Sequence, residues 1–112
     1  MNFQDIYDFF EEPPPQYLSK ELATAYVLAI LLEGESSSVM MMRQLEQQYP
    51  SYRLSEHVLR TVLEFLLAKG VIQSRWEQPQ GRGRPCRLYC LAPDGRVLAQ
   101  DLALRWHQYS HV

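Results

Sequence analysis

The chain has 112 residues, 46% of them hydrophobic, enough for one soluble domain with one modest core. No apolar run approaches the ~20 residues that a membrane-spanning helix needs, which excludes a helical membrane protein. The formal net charge of −2 argues, taken alone, against a nucleic-acid binder, but its distribution argues the reverse. Residues 1–35 hold seven acids (Asp5, Asp8, Glu11, Glu12, Glu21, Glu33, Glu35) and one base, Lys20, a balance of −6. Residues 36–112 hold ten bases and six acids, a balance of +4. Arg75, Arg82, Arg84, Arg87 and Arg96 cluster, so the mild total conceals a basic half.

Taken in chain order, residues 1–18 form an acidic arm. It starts without the basic stretch and apolar run of a secretory signal, so a cytoplasmic location is expected. There the two cysteines need not pair. Phe3, Ile6, Tyr7, Phe9 and Phe10 among the acids predict a short amphipathic helix, which Pro13, Pro14 and Pro15 stop. A first strong helix follows over about 19–33, with Ser19 as its cap, Glu21 in the positive first turn and Gly34 at a left-handed exit. Leu22, Tyr26, Val27, Ile30 and Leu31 repeat on it at helical spacing. A second helix spans about 38–49, with Val39, Met42, Leu45 and Tyr49 on one face and Pro50 ending it. Within Met40-Met41-Met42, Met42 is expected to fill the core, since a thioether adapts to irregular gaps, with its neighbours partly exposed.

A third helix spans about 55–69, capped by Ser55 and closed by Gly70. Val58, Leu59, Val62, Leu63, Leu66 and Leu67 form its buried stripe, which turns His57, Arg60, Thr61 and Glu64 outward. After Gly70 the period changes from helical to alternating. VIQSRW and CRLYCLA read as two strands separated by EQPQGRGRP. PDGR makes a turn, with Gly95 supplying backbone freedom. A last helix runs from Asp94 or Gly95 toward Tyr109.

The expected fold is therefore α+β and mostly helical. Three helices and a β-hairpin make a winged helix-turn-helix, with additional N- and C-terminal helical segments. Residues 1–18 are the arm, 19–93 the winged domain and 94–112 a C-terminal helix expected to dimerise. In such a layout the third helix enters the major groove and the hairpin, the wing, lies along the backbone or minor groove.

The densest chemistry lies in GRGRPCRLYC, residues 81–90. Cys86 and Cys90 fall four apart on a strand, hence ~13 Å apart. That exceeds the ~7 Å reach of a disulfide and is too far for one zinc. No second cysteine pair exists, and His57, His107 and His111 show no ligand spacing with these two, so no metal is expected. The thiols are read as structural groups on one side of the wing. A phosphate-cradling loop needs glycine amides followed by a helix, whereas these glycines lead into proline and a strand. No nucleophile–base or paired-carboxylate pattern stands out, so no catalytic residue and no cofactor is expected. What remains is a thin cationic tip, Arg82-Gly83-Arg84-Pro85. Arginines fit narrow A·T-rich minor grooves, and small glycines let the backbone come close. Its letters are similar to the core of the AT-hook peptide.

YVLAILLEGESSS, LSEHVLRTVLEFLLAKGVI and GRGRPCRLYCLAPDGRVL resemble the PadR-like winged-helix transcription regulators over about residues 19–105. That family shows an aliphatic first helix ending in EG and a wing reading GRPRRYYxLTPEGR. The proline-containing acidic arm is similar to that of the Pex subgroup, the cyanobacterial circadian period-extender proteins. Two departures fall where base contacts are expected. Arg60-Thr61 stands where the family commonly has Tyr-Pro, and Ser37-Ser38-Val39 replaces His-Gly-Tyr, so base readout is expected to differ. The resemblance implies a homodimer that represses transcription, paired through helices outside the winged domain. In some members a small aromatic effector acts; none is named by this sequence.

These readings place His57, Arg60, Thr61 and Glu64 in the major groove and Arg82, Gly83 and Arg84 at the minor groove. Arg75 and Arg87 are expected on phosphates. Phe3, Ile6, Tyr7, Phe9, Phe10, Leu102, Leu104 and Trp106, surplus to a three-helix core, are expected to form the dimer. The competing reading is a winged-helix module that docks a protein partner through the acidic arm, without specific DNA binding.

Overall fold

The computed structural model describes residues 1–11, 15–78 and 83–110, with the backbone only at Phe9, Phe10 and Glu11. The elements in chain order are α1 (Phe3–Glu11), β1 (Gln16–Tyr17), α2 (Lys20–Glu33), α3 (Ser38–Gln48), β2 (Tyr52–Arg53), α4 (Glu56–Ala68), β3 (Ile72–Glu77), β4 (Cys86–Leu91) and α5 (Arg96–Ser110). A single 3₁₀ turn, Pro93–Gly95, precedes α5. The fold is the winged helix-turn-helix expected from the sequence, with α2, α3 and α4 as its three helices and β3–β4 as its wing.

Three serines set the helix starts. The Oγ atoms of Ser19, Ser37 and Ser55 accept from the amides of Leu22 (3.2 Å), Met40 (3.2 Å) and Val58 (3.1 Å). Each such cap is worth ~1 kcal/mol and fixes where its helix begins. Gly70 closes α4 in the left-handed region (φ 74°). There the amides of Lys69, Gly70 and Val71 satisfy the carbonyls of Phe65, Leu67 and Leu66. Gly34 leaves α2 at φ 153° and ψ 175° rather than left-handed, a conformation open essentially to glycine alone.

The core is built around α2. Ala23, Ala25, Tyr26, Val27, Leu28, Ile30 and Leu31 are all buried, so α2 is apolar nearly all round, as a helix covered on several sides must be. The α4 stripe of Leu59, Val62, Leu63 and Leu66 packs on one side of the core. On α3 the buried residues are Met41 and Leu45, whereas Val39 is 61% exposed and Met42 only half-buried. This corrects the expectation for Met42. The buried Tyr26 hydroxyl donates to the Met41 carbonyl at 2.7 Å, which fastens that side of α3 to α2.

The other side of α2 is covered by α5, and here the sequence reading needs its main correction. Ala99, Ala103 and Trp106, at helical spacing, are buried, and the two alanines let the helices approach closely. Trp106 is 1% exposed. Its ring centroid stands 5.1 Å from those of Tyr26 and Tyr49, 6.0 Å from that of Tyr52 and 6.2 Å from that of Tyr109. Trp106 thus fills the domain's own aromatic core and offers no exposed surface for a dimer. Leu102 is half-buried against the same core, while Leu104 points outward, 63% exposed.

Two short pairings were not visible in the sequence. β1 runs parallel to β2, and the amides of Gln16 and Leu18 donate to the carbonyls of Ser51 and Arg53, both at 2.9 Å. With Leu18 buried, the end of the acidic arm is stitched into the domain. Ser36 exchanges both backbone bonds with Tyr89 (3.0 and 2.9 Å), which ties β4 to the turn between α2 and α3. Gly95 also differs from expectation. It has no positive φ; it is needed because a Cβ there would collide with the Val71 carbonyl. The radius of gyration, 16.4 Å, exceeds the ~13 Å expected for this length. Phe3, Ile6 and Tyr7 of α1 are exposed and contribute nothing to the core.

Candidate nucleic-acid interface

The inner stripe of α4 decides which of its side chains face out. His57, Arg60 and Glu64 are exposed along one face, three and seven residues apart, which is the row a recognition helix presents to base edges. Arg60 makes no hydrogen bond or ion pair with any described residue, Glu64 four residues on included, so its donor fork remains for a ligand. Thr61 differs from its neighbours: it is half-buried and its hydroxyl donates to the His57 carbonyl at 2.9 Å. What it offers DNA is its methyl group and a lone pair.

The hairpin register divides the wing residues between two faces. β3 and β4 pair antiparallel from Ile72↔Leu91 to Glu77↔Cys86, and directly opposite residues project to the same side. Ile72, Ser74, Trp76, Arg87, Tyr89 and Leu91 therefore share one face. Ile72 and Tyr89 are buried there, so this face turns toward the helices. Gln73, Arg75, Glu77, Cys86, Leu88 and Cys90 share the other. Both thiols thus lie on one side of the wing, Cys86 exposed and Cys90 half-buried.

This division separates two arginines that the sequence treated alike. Arg87 lies on the helix-facing side. Its guanidinium sits 5.4 Å from the Tyr89 ring centroid and 5.9 Å from that of Trp76, and its Nε donates to the Ser74 hydroxyl at 3.1 Å. Arg75 lies on the opposite side, with Nη2 2.6 Å from Glu35 Oε1 and Nη1 3.9 Å from Glu77 Oε2. The hydrogen bond and charge of Glu35 raise the Arg75 pKa further. It works as an internal clip between the wing and the turn after α2. Gly83 and Arg84 are exposed; Arg82 lies outside the described residues.

Between the wing and α4 runs a cleft of about 330 Å³. Arg60, Glu64, Arg87 and Tyr89 line it, above Leu59 and Leu63. The structure therefore brings Arg60, Glu64 and Arg87 to one opening and leaves Arg75 out of it. An exposed helix face with an arginine on the strand beside it suits a major groove ~12 Å wide bordered by phosphates. Among the described residues no group of three or more His, Cys, Asp or Glu side chains could hold a metal ion.

Solved structures decide the family. Pex from Anabaena, described as circadian clock associated, is 45% identical; the match covers 97% of this chain and 95% of that one, with a TM-score of 0.87. Pex from Synechococcus sp. strain PCC 7942 is 48% identical over 97% of both chains, with a TM-score of 0.89. The chain belongs to the PadR-like winged-helix family, in its Pex subgroup. Neither a family model nor a curated protein matches it. Bacillus subtilis PadR, solved with operator DNA, shares 22% identity over 70% of this chain and 44% of its own, with a TM-score of 0.59. That likeness is one of fold.

Against this PadR-like frame, three contributors escaped the sequence reading. Glu35 was counted only as charge, although it holds Arg75. Ser74 and Trp76 were read only as strand letters, although they hold Arg87. The signal was present in principle: once VIQSRW and CRLYCLA are paired, alternation puts Ser74 and Trp76 on the Arg87 side. The register itself, however, depends on the eight-residue connection 78–85, whose geometry the letters leave open.

Proposed function

We propose that this chain is a sequence-specific double-stranded DNA-binding transcription regulator, a homodimer that represses a gene of the circadian clock. The observation that carries the reading is the convergence of the free Arg60 face of α4 with Arg87 of the wing on one side of the domain. In it, α4 enters the major groove, with Arg60 on guanine N7 and O6 and His57, Thr61 and Glu64 at neighbouring edges. Arg87 meets a phosphate, and Arg84, with Arg82 and Gly83, reaches the adjoining minor groove. The PadR neighbour bound to operator DNA and the clock-associated Pex relative support this reading. No helix among the described residues is long and apolar enough to cross a membrane; the proposed regulator acts in the cytoplasm.

The dimer is assigned to the terminal helices. A helix of nine residues is marginal on its own in water, yet α1 carries exposed Phe3 and Ile6, and α5 exposes Val97, Leu98 and Leu104. A second copy covering these would place two α4 helices about one helical turn apart on DNA. Phe9 and Phe10 stay in the proposal by sequence alone.

The acidic, exposed α1 also favours a second reading, a module that docks a protein partner. Footprinting on genomic fragments retained by the purified chain, repeated over a salt series, separates the two. Protected inverted repeats, with affinity falling steeply as salt rises, are expected, because phosphate contacts release counterions. Retention without a protected site, or a flat salt response, refutes specific DNA binding and favours the second reading.

A further inference from the structure

The chain has two tryptophans with opposite fates. Trp106 is 1% exposed in the core; Trp76, on β3, is 68% exposed. An indole leaves more apolar surface in water than almost any other side chain, and such residues concentrate at binding hot spots. Trp76 pairs with Arg87 across the hairpin, as Ser74 pairs with Tyr89, so its ring stands on the wing face that looks toward α4.

We propose that Trp76 is a DNA-contacting residue of the wing, seated against the sugar–phosphate edge beside the α4 contact while it holds Arg87 toward a phosphate. The inference rests on the DNA-binding reading above and adds a residue and a role to it. Three observations carry it. The first is the Arg87 guanidinium, 5.9 Å from the Trp76 ring centroid and 5.4 Å from that of Tyr89, with Nε bonded to Ser74 at 3.1 Å. A long side chain that would otherwise sample many rotamers is thereby aimed before any ligand arrives, which lowers the entropy cost of binding. The second is charge. On this face of the hairpin the described side chains are Ile72, Ser74, Trp76, Arg87, Tyr89 and Leu91, none of them acidic, whereas Glu77 falls on the other face beside Arg75. Among the described residues, acids line the opening only from α4, as Glu56 and Glu64. The third is chemistry. The indole is apolar across its plane and carries one N–H donor at its edge, which fits a deoxyribose flanked by phosphate oxygens better than an acidic peptide.

Tryptophan fluorescence tests this on the full chain, because buried Trp106 supplies a constant background. The probe is a mixed-sequence duplex of about 30 bp, roughly three helical turns, at low salt, with binding followed independently by the anisotropy of a dye on the duplex. At saturation, quenching of Trp76 by acrylamide should fall several-fold, and Trp76→Phe should abolish that change while still binding. Trp76→Ala should bind roughly tenfold more weakly, the loss expected for one aromatic anchor, with Trp76→Phe, which keeps an apolar ring and loses the N–H, between Trp76→Ala and wild type. Saturation by the duplex with acrylamide access unchanged overturns the proposal, even if Trp76→Ala does not fold. So does equal affinity of a folded Trp76→Ala. Protection of Trp76 that grows with protein concentration in the absence of DNA also overturns it, assigning the indole to a contact between copies. Failure of the wild type to shift the duplex anisotropy at low salt removes the DNA-binding reading itself and the proposal with it.

Discussion

Replacing Arg87 by alanine should flatten the salt dependence of DNA binding, and replacing Arg75 should not. The two arginines stand one step from directly opposite each other in the hairpin ladder, since Arg75 pairs with Leu88 and Trp76 with Arg87. Their side chains nevertheless leave opposite faces, and Arg75 is held by Glu35 at 2.6 Å. One phosphate contact contributes ~0.9 to the slope of log affinity against log salt. Both wings of a homodimer would lose it in Arg87→Ala, so the slope should fall by about 1.8. Over a fourfold rise in salt, from ~50 to ~200 mM, the wild type should then lose about 12-fold more affinity than the variant. Anisotropy titrations of both variants on one duplex at several salt concentrations measure this. Melting temperatures should barely move: the Arg75–Glu35 side chains are 53% and 44% exposed, and such pairs are worth ~0–1 kcal/mol. Equal flattening by Arg75→Ala, or an unchanged slope in Arg87→Ala, refutes the assignment of faces.

Arg60→Ala should cost ~1–3 kcal/mol on a specific site and relax preference at one base pair per half-site; equal weakening on specific and random duplexes would move Arg60 to the backbone. Leu104→Glu should shift light scattering toward the 13.1 kDa chain mass while the chain stays folded, since Leu104 is outside the core; an unchanged dimer would exclude that face of α5. Burial holds the Tyr26 phenol above its ordinary pKa of ~10, so above pH ~10 the unfolded chain releases a proton that the folded chain keeps. That stability is fully present below ~10 and is lost as pH rises through the raised folded value. Tyr26→Phe should therefore lose ~1 kcal/mol at neutral pH with its bond to Met41, and show a shallower alkaline decline in thermal melts; parallel declines would refute this. Gly95→Ala should cost ~1–3 kcal/mol by pressing a methyl on the Val71 carbonyl, and a melting temperature equal to wild type would show that the turn yields freely.

The sequence by itself determined the helices of the winged domain, because their signals are local. Ser19 and Ser55, with the apolar stripes behind them, mark α2 and α4 without reference to anything distant. The α4 stripe also fixed which way His57, Arg60 and Glu64 point, since a helix has one geometry. The alternation after Gly70 located both strands. Only the tertiary structure decided what lies across space. Trp106 is surplus to a three-helix core counted along the sequence, yet an all-round apolar α2 needs a further partner, and α5 supplies it through Ala99, Ala103 and Trp106. Met41 rather than Met42 is buried beside Leu45, four residues on, on the side of α3 whose Met41 carbonyl accepts from the Tyr26 hydroxyl; three adjacent methionines leave that choice open in the sequence. β1 and β2 are two residues each, too short to carry a period. Arg75 and Arg87 look equivalent as letters and were parted by a register and by Glu35, forty residues away in the chain. Composition and local period can say that the wing is basic; which of its charges is free to meet DNA depends on pairings that local sequence does not encode.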